Sequence, residues 1–459
     1  MSCSTAHLIE MTNQDLKFDT VIIGMGNTGL SCARYLANRK IDFAMTDSRE
    51  NPPMLNAIRE QFPHITLSTG RFDPALLNNA KQLLISPGIS LKEPEIAAAI
   101  NSGVSVCGDI EIFCQQVKAP VVAITGSNGK STVTTLVAEM TKDAGIKTGV
   151  GGNLGTPVLE LLSENDTEIF VLELSSFQLE TVSSLNAVAS VVLNLSEDHM
   201  DRYSGMKDYA QAKARIYEGN GTMIINLDDP LVAAMCRPGR NISAFTLSEP
   251  DKNNYGVRDY SGVRWLVKGG EKLIRAEEIR IAGEHNIANS LAAFAIAEVL
   301  QIPRTNICSV LRKFTGLPHR CQWVADVNGV RWFNDSKGTN VGASYAAIKG
   351  LADNKNIVLI AGGDGKGANF SRLAEAAKNY LRAAVLIGRD APRIKQVLQG
   401  VVPVIDAIDM NAAVQTAATL ASQGDIVLLS PACASFDMFN DYRARGEEFK
   451  NSVERLVNK

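Results

Sequence analysis

The chain has 459 residues, 45% of them hydrophobic and 21% charged, with a formal net charge of −3. That length exceeds one ordinary core and points to about three domains of a water-soluble globular protein, while the charge gives no reason to expect nucleic acid or an anionic membrane as a partner. No apolar stretch approaches the roughly 18 residues needed to span a bilayer, and eight cysteines with no C-x-x-C pair read as the reduced thiols of a cytoplasmic protein.

Residues 1–17 have neither the basic flank nor the apolar run of a signal peptide and read as an extension. Val21 to Ile23 then form a buried strand, followed by Gly24-Met25-Gly26-Asn27-Thr28-Gly29 and a helix through Leu36. A second strand, Ile41 to Thr46, ends at Asp47. The spacing matches the dinucleotide fingerprint, in which glycines make the turn and an acid meets a ribose. It indicates a Rossmann-like fold more strongly than it indicates NAD. Gln82 to Ile85 leads into Ser86-Pro87-Gly88-Ile89, a second loop expected at the same sheet edge. Two such loops suit a ligand bearing a diphosphate.

The second segment carries Thr125-Gly126-Ser127-Asn128-Gly129-Lys130-Ser131-Thr132, between an apolar run, Val121 to Ile124, and a helical stretch to about Ala144. Glycines let backbone N–H groups approach phosphate oxygens, the helix N-terminus favours anions, Lys130 adds charge, and Ser131 can ligate Mg²⁺. The common phosphate loop has four residues between its glycines and this one has two. The pattern points to a nucleoside triphosphate. Further strands are expected at Ile169 to Leu174, Ala187 to Leu195 and Thr222 to Asn226, giving a mainly parallel sheet covered on both faces. Short strands with Gly turns from Ile242 to Ala282 suggest an antiparallel annex, and helices resume at Asn286 to Leu300.

Glu173 ends a strand, where it can hold Mg²⁺ or cap the following turn. His199 follows another strand within Glu197-Asp198-His199-Met200-Asp201, as a metal ligand or a loop histidine. Lys213 lies in a helical stretch, and composition alone makes it a surface lysine. Asn286 precedes an Ala-rich run and suits a helix cap.

The third segment opens near Leu317. Asn328-Gly329 between Val324–Val327 and Val330–Phe333 is a strong hairpin signal. Strands recur at Ile357 to Ala361, Ala383 to Ile387 and Ile426 to Leu429, making another doubly wound domain. Gly362 to Gly367 reads as an anion-binding loop. Cys433 has no histidine near it in sequence, so a structural thiol is the simpler reading than a nucleophile. The whole is an α/β protein of three domains: residues 1–108 Rossmann-like, 109–316 a P-loop ATPase domain with a parallel sheet, and 317–459 Rossmann-like.

Together these motifs resemble the Mur ligase family, whose short loop reads T-G-x-N-G-K-[ST], and the resemblance covers Val21 to about Lys450. Asn334 to Asn340, Glu197 to Asp201 and Ser430 to Ser435 look like the branch that adds D-glutamate. The resemblance implies an ATP-dependent, ADP-forming amide ligase acting through an acyl phosphate, with UDP-N-acetylmuramoyl-L-alanine and D-glutamate as substrates, ATP and Mg²⁺ as cofactors, and a cytoplasmic, monomeric protein. A ligase of the same superfamily with another acceptor is the nearest alternative, and an NAD-dependent oxidoreductase the next.

Residue by residue, the resemblance implies that Asn27, Thr28, Ser48, Arg49, Ser86 and Asn153 hold the UDP precursor. Gly126, Asn128, Gly129, Lys130, Ser131, Thr132, Asn286, Asn289, Arg320, Asp335 and Lys337 would hold ATP. Ser131, Glu173, His199 and Lys213, the last as a carbamate, would hold the metal, with Lys130, Glu173, His199 and Lys213 forming the catalytic group. Thr339, Lys366, Ser435 and Tyr442 would hold D-glutamate. Asn27 stands where relatives often have Leu, and Tyr442 where Phe is usual.

Overall fold

Three sheets organise the chain in the computed structural model, which describes residues 18–164, 166–281, 283–352 and 354–457. The extension read over residues 1–17 lies outside the described residues. The first sheet comprises β1 (Phe18–Ile23), β2 (Phe43–Asp47), β3 (Leu67–Thr69), β4 (Ala80–Ile85) and β5 (Ser105–Cys107), in the order β3-β2-β1-β4-β5 and parallel throughout. Because β1 and β4 are parallel neighbours, the glycine turn after Ile23 and the Ser86 loop leave the same sheet edge.

The second sheet is built from β6 (Val121–Thr125), β8 (Ile169–Glu173), β9 (Ala189–Val192), β10 (Thr222–Asn226), β11 (Ile242–Phe245), β12 (Tyr255–Tyr260), β13 (Val263–Lys268) and β14 (Glu271–Arg275), with β7 (Thr148–Gly152) between β6 and β8 in sequence. Strand β6 lies between β8 and β9, all parallel. The annex expected from Ile242 starts later: β11 pairs parallel with both β10 and β12, and antiparallel pairing begins only between β12 and β13 and continues to β14, within the same sheet. The helix Glu284–Val299, apolar on nearly all sides because it is buried, packs against the helix Lys130–Asp143 that follows the phosphate loop.

The third sheet comprises β15 (Gln322–Val327), β16 (Val330–Asn334), β17 (Ile357–Gly362), β18 (Leu381–Ile387), β19 (Val404–Asp406) and β20 (Ile426–Leu429), in the order β15-β16-β20-β17-β18-β19. Only the β15–β16 hairpin is antiparallel. Its turn is Asn328-Gly329, both with positive φ, as a two-residue hairpin of this type requires.

Compactness divides the chain into two units. One holds the described residues up to Ala119 with Gly149–Thr167 and Ser175–Leu185; the other holds Pro120–Thr148, Glu168–Leu174 and the chain from Asn186 onward. Residues 109–119, 149–167 and 175–185, which the sequence placed in the second segment, thus cluster with the first sheet. The second and third sheets share a unit.

Gly29 sits in the helix Asn27–Asn38 with a carbonyl pressed against it: a Cβ there would lie 1.9 Å from the Gly24 oxygen. Gly29→Ala is expected to destabilise the protein by about 1–3 kcal/mol, read as a lower chemical-denaturation midpoint; an unchanged midpoint would show that the turn yields freely.

Candidate active site

In the first unit, one hollow of about 570 Å³ brings together Asn27, Thr28, Ser48, Arg49, Ser86 and Asn153, all six residues expected to hold the precursor. The acid of the fingerprint, Asp47, also lines it but is fully engaged. Its Oδ1 accepts from Arg49 N at 2.9 Å and Arg49 Nε at 2.9 Å. Its Oδ2 accepts from Met25 N and Arg49 Nη2, both at 2.7 Å. Burial alone would raise the Asp47 pKa, but these donors hold it below the usual carboxylate value. With four donors on two oxygens, the carboxylate has little capacity left for a ribose hydroxyl. The fingerprint here fixes a turn, which removes the main support for a nicotinamide reading.

The phosphate loop lies in the second unit. Gly129 precedes the helix with φ of 86°, and a Cβ there would meet Asn289 Oδ1 at 2.3 Å, so glycine is required for both reasons. Reciprocal bonds fix the loop: Asn128 N donates to Asn194 Oδ1 at 2.9 Å, and Asn194 Nδ2 donates to the Asn128 carbonyl at 3.0 Å. Ser127 Oγ contacts the Tyr209 hydroxyl at 3.1 Å and donates to the Ser196 carbonyl at 3.0 Å. Lys130 Nζ donates to the Gly126 carbonyl at 2.8 Å and to the Ser127 carbonyl at 3.0 Å.

Lys213 is buried, at 1% exposure, so the surface reading from composition is overturned. Its helix, Met206–Ala214, turns it inward, and Nζ donates to the same Gly126 carbonyl at 3.0 Å and to Thr125 Oγ1 at 3.2 Å. Burial first, then the Lys130 charge, press its pKa well below that of an ordinary lysine. Glu173 is buried at the end of β8 and pairs in register with Ile124, one residue before the loop's first threonine. His199 adopts a left-handed φ of 58°, its Nε2 lies 3.7 Å from Asp198 Oδ2, and burial lowers its pKa to about 4. Among the described residues no three His, Cys, Asp or Glu side chains are grouped as a metal cluster.

Loop residues of the third segment, flanking the β15–β16 hairpin, reach this loop within the same unit. Arg320 Nη2 donates to Ser131 Oγ at 2.6 Å, and Asn128 and Asn340 exchange side-chain bonds at 3.3 and 3.2 Å. Asp335 Oδ2 accepts from Ser430 Oγ at 2.7 Å, and burial raises the Asp335 pKa to about 6. Burial, helped by Arg320 and Lys130, lowers Lys337 to about 8. A cavity of about 540 Å³ is lined by Asn128, Gly129, Thr132, Asn286, Asn289, Arg320, Asp335 and Lys337. Most of the side chains expected around ATP therefore surround one space. Asn286 lies inside the first turn of its helix rather than capping it, because the helix already begins at Glu284 after Gly283. There its Oδ1 accepts from Asn289 Nδ2 at 3.1 Å.

The acceptor residues divide. Thr339 and Lys366 share a small hollow with Asp198, His199 and Asn340. Lys366 Nζ donates to Asp198 Oδ1 at 3.1 Å. Ser435 is buried next to Ala434, whose backbone pairs with Asp364. Tyr442 is set toward Lys337 instead: its ring lies 4.0 Å from Lys337 Nζ and stacks edge-on against His319. Cys433 is fully buried and burial pushes its thiol pKa far up, which fits a structural thiol.

Comparison with known proteins agrees with this geometry. Residues 18–108 match the MurD-like N-terminal domain of Mur ligases, 124–297 the Mur ligase middle domain, and 319–433 the Mur ligase glutamate ligase domain. The chain belongs to the Mur ligase family. It is 53% identical over 438 residues to a UDP-N-acetylmuramoylalanine--D-glutamate ligase of Nitrosococcus oceani, covering 95% of this chain and 97% of that one. It is 51% identical over 443 residues to the protein of the same name from Methylococcus capsulatus, covering 96% of each. Its fold is like that of the MurF ligase of Thermotoga maritima, solved in complex with ADP, at 16% identity and a TM-score of 0.61 over 98% of this chain and 97% of that one.

In this Mur ligase, three residues at the site escaped sequence reasoning. Asp198 was seen only as part of an acidic stretch. Arg445 is 1% exposed and ties the Ser336 turn to the Cys433-Ala434 loop, donating from Nη2 to the Ser336 carbonyl at 2.7 Å and from Nη1 to the Cys433 carbonyl at 3.1 Å. Nothing in the polar helical run around Arg445 signals that burial. His285 lines the same cavity as Arg320 and Lys337, and its Nδ1 is buried without a hydrogen-bond partner among the described residues. Burial lowers its pKa to about 4. Between about pH 6.5 and 4 the unfolded chain therefore takes up a proton at His285 that the folded protein does not, and this residue's contribution to stability falls as pH falls. In an NMR titration its ring is expected to stay neutral to about pH 4; a midpoint near the ordinary histidine value would contradict its burial.

Proposed function

We propose that the protein is an ATP-dependent ligase that joins D-glutamate to UDP-N-acetylmuramoyl-L-alanine in peptidoglycan precursor synthesis, working as a monomer in the cytoplasm. ATP phosphorylates the terminal carboxylate of the precursor. The amine of D-glutamate attacks the acyl phosphate, and inorganic phosphate leaves as the amide forms. The observation that carries this reading is the single cavity shared by the phosphate loop and by Arg320, Asp335 and Lys337 of the third segment.

In this reading the hollow of the first unit holds the uridine diphosphate end, with domain boundaries near Gly108 and Gly316. Backbone amides of the Gly126–Thr132 loop and Lys130 orient the phosphates, and Arg320, beside Ser131, offsets charge on the transferred group. Bound Mg²⁺ would neutralise charge on those phosphates. The donor chemistry here suits it: the Ser131 hydroxyl, the Glu173 carboxylate, a His199 ring kept neutral by its environment, and a carbamate on Lys213. Lys213 is disposed to carry that group because burial beside Lys130 favours its free amine, the form that attacks CO₂. Lys366 takes one carboxylate of D-glutamate and the hydroxyls of Thr339 and Ser435 the other, with Tyr442 contributing through the backbone beside it.

An ADP-release assay with the precursor and a panel of L- and D-amino acids tests the assignment. Turnover is expected with D-glutamate alone, with L-glutamate and D-alanine near background; equal turnover with L-alanine or diaminopimelate would move the chain to another branch of the family. Lys213→Ala is expected to lose activity, and acetate or formate to restore part of it by filling the vacated carbamate position. Wild-type activity in that variant would refute the carbamate.

A further inference from the structure

The mouth of the nucleotide cavity carries an aromatic wall that neither the phosphate loop nor the asparagines account for. Trp323, on β15, lines the cavity yet is 56% exposed. Directly across the hairpin it pairs with Phe333 on β16, which lines the same space and is half-buried. The other two tryptophans have different surroundings: Trp332 is a core residue, and Trp265 lies on the antiparallel annex under Lys272 and Arg275.

Two features of the local backbone aim Trp323 there. The β15–β16 register slips between Trp323 and Ala325, a bulge of the kind that redirects a side chain at a sheet edge. The segment just before it is held in unusual conformations, with φ of 62° at His319 and 46° at Cys321. That segment is pinned at both ends, by Arg320 on Ser131 and by the Cys321 N–H on Asp335 Oδ1 at 3.2 Å. Such strain persists only where the surroundings enforce it. The short strap from Arg320 to Trp323 thus places a cation at the phosphate loop and an indole at the cavity mouth. A nucleotide needs that pair: charge for its phosphates and a flat apolar surface for its base.

We propose that Trp323, backed by Phe333, is the platform on which the base of the bound nucleotide packs. The proposal rests on the ATP reading above and adds a base-binding residue to it. Stacking of a base on an aromatic ring tolerates any base, so this contact supplies affinity, while the polar groups opposite choose among bases.

The test uses the full-length protein with MgADP and with inorganic tripolyphosphate, which has phosphates and no base. Tryptophan emission of the wild type is expected to change on titration with MgADP. In Trp323→Phe that change should vanish while calorimetry shows affinity within about twofold, since a phenyl ring still packs against the base. Trp323→Ala should weaken MgADP by about fivefold or more and leave tripolyphosphate binding unchanged. Because the side chain is exposed, the variant should melt at the wild-type temperature. Equal weakening of both ligands, unchanged MgADP affinity, or an emission change that survives in Trp323→Phe would overturn the platform. A wild type that bound tripolyphosphate but not MgADP would overturn the ATP reading itself, and the platform with it.

Discussion

The carbonyl oxygen of Gly126 accepts hydrogen bonds from two lysines, Lys130 at 2.8 Å and Lys213 at 3.0 Å, and the second of these is almost wholly buried. Two ammonium groups on one acceptor repel each other, and burial penalises each charge further. Glu173 and Asp198 offset part of that repulsion, yet burial still drives the Lys213 amine toward its neutral form. The surrounding structure holds the two lysines there nonetheless, through Tyr209 on Ser127, Asn194 on Asn128, and a helix that leaves Lys213 no route to solvent. A phosphate on one side and a carboxylated amine on the other would both relieve the same excess of positive charge.

The same loop is also where the third sheet attaches. Arg320 reaches Ser131 and Asn340 reaches Asn128, so the cavity beside the loop is built from both parts of one unit. Lys366 is drawn to Asp198, next to His199. A further anion on that lysine would share the ammonium with Asp198, the residue beside a proposed metal ligand. Arg445 secures the floor beneath, joining two loops through backbone carbonyls without a carboxylate of its own.

In the first unit the comparable constraint is Asp47. A glycine turn followed by a strand ending in an acid is usually a cue for ribose recognition, but here Met25 N and Arg49 occupy that acid. The turn survives as architecture, and Ser48, Arg49 and Ser86 remain at the hollow to meet a ligand. A shared fold is thus compatible with a different ligand, because the groups that face the ligand differ from those that hold the turn.

Much was legible in the sequence because the signals are local. Apolar runs buried on both faces marked β1, β6 and β17, the Asn328-Gly329 turn marked its hairpin, and the glycine spacing marked the phosphate loop. The six side chains of the first hollow, and most of those around the cavity of the second unit, were named by the resemblance to the Mur ligases and not by spacing. The rest depended on tertiary placement. A lysine in a polar helix carries no sign that its helix faces inward, so Lys213 looked like surface until the fold buried it beside Lys130. A polar run around Arg445 and an acidic stretch around Asp198 were equally silent. The annex blurred because a short parallel strand and an antiparallel one have the same period in sequence, and only pairing shows that the change falls between β12 and β13. Pattern along the chain therefore determined the elements and the phosphate chemistry. Which charges meet, which acid is already occupied and which aromatic lines the cavity were decided by packing alone, because burial and opposition are properties of neighbours distant in sequence.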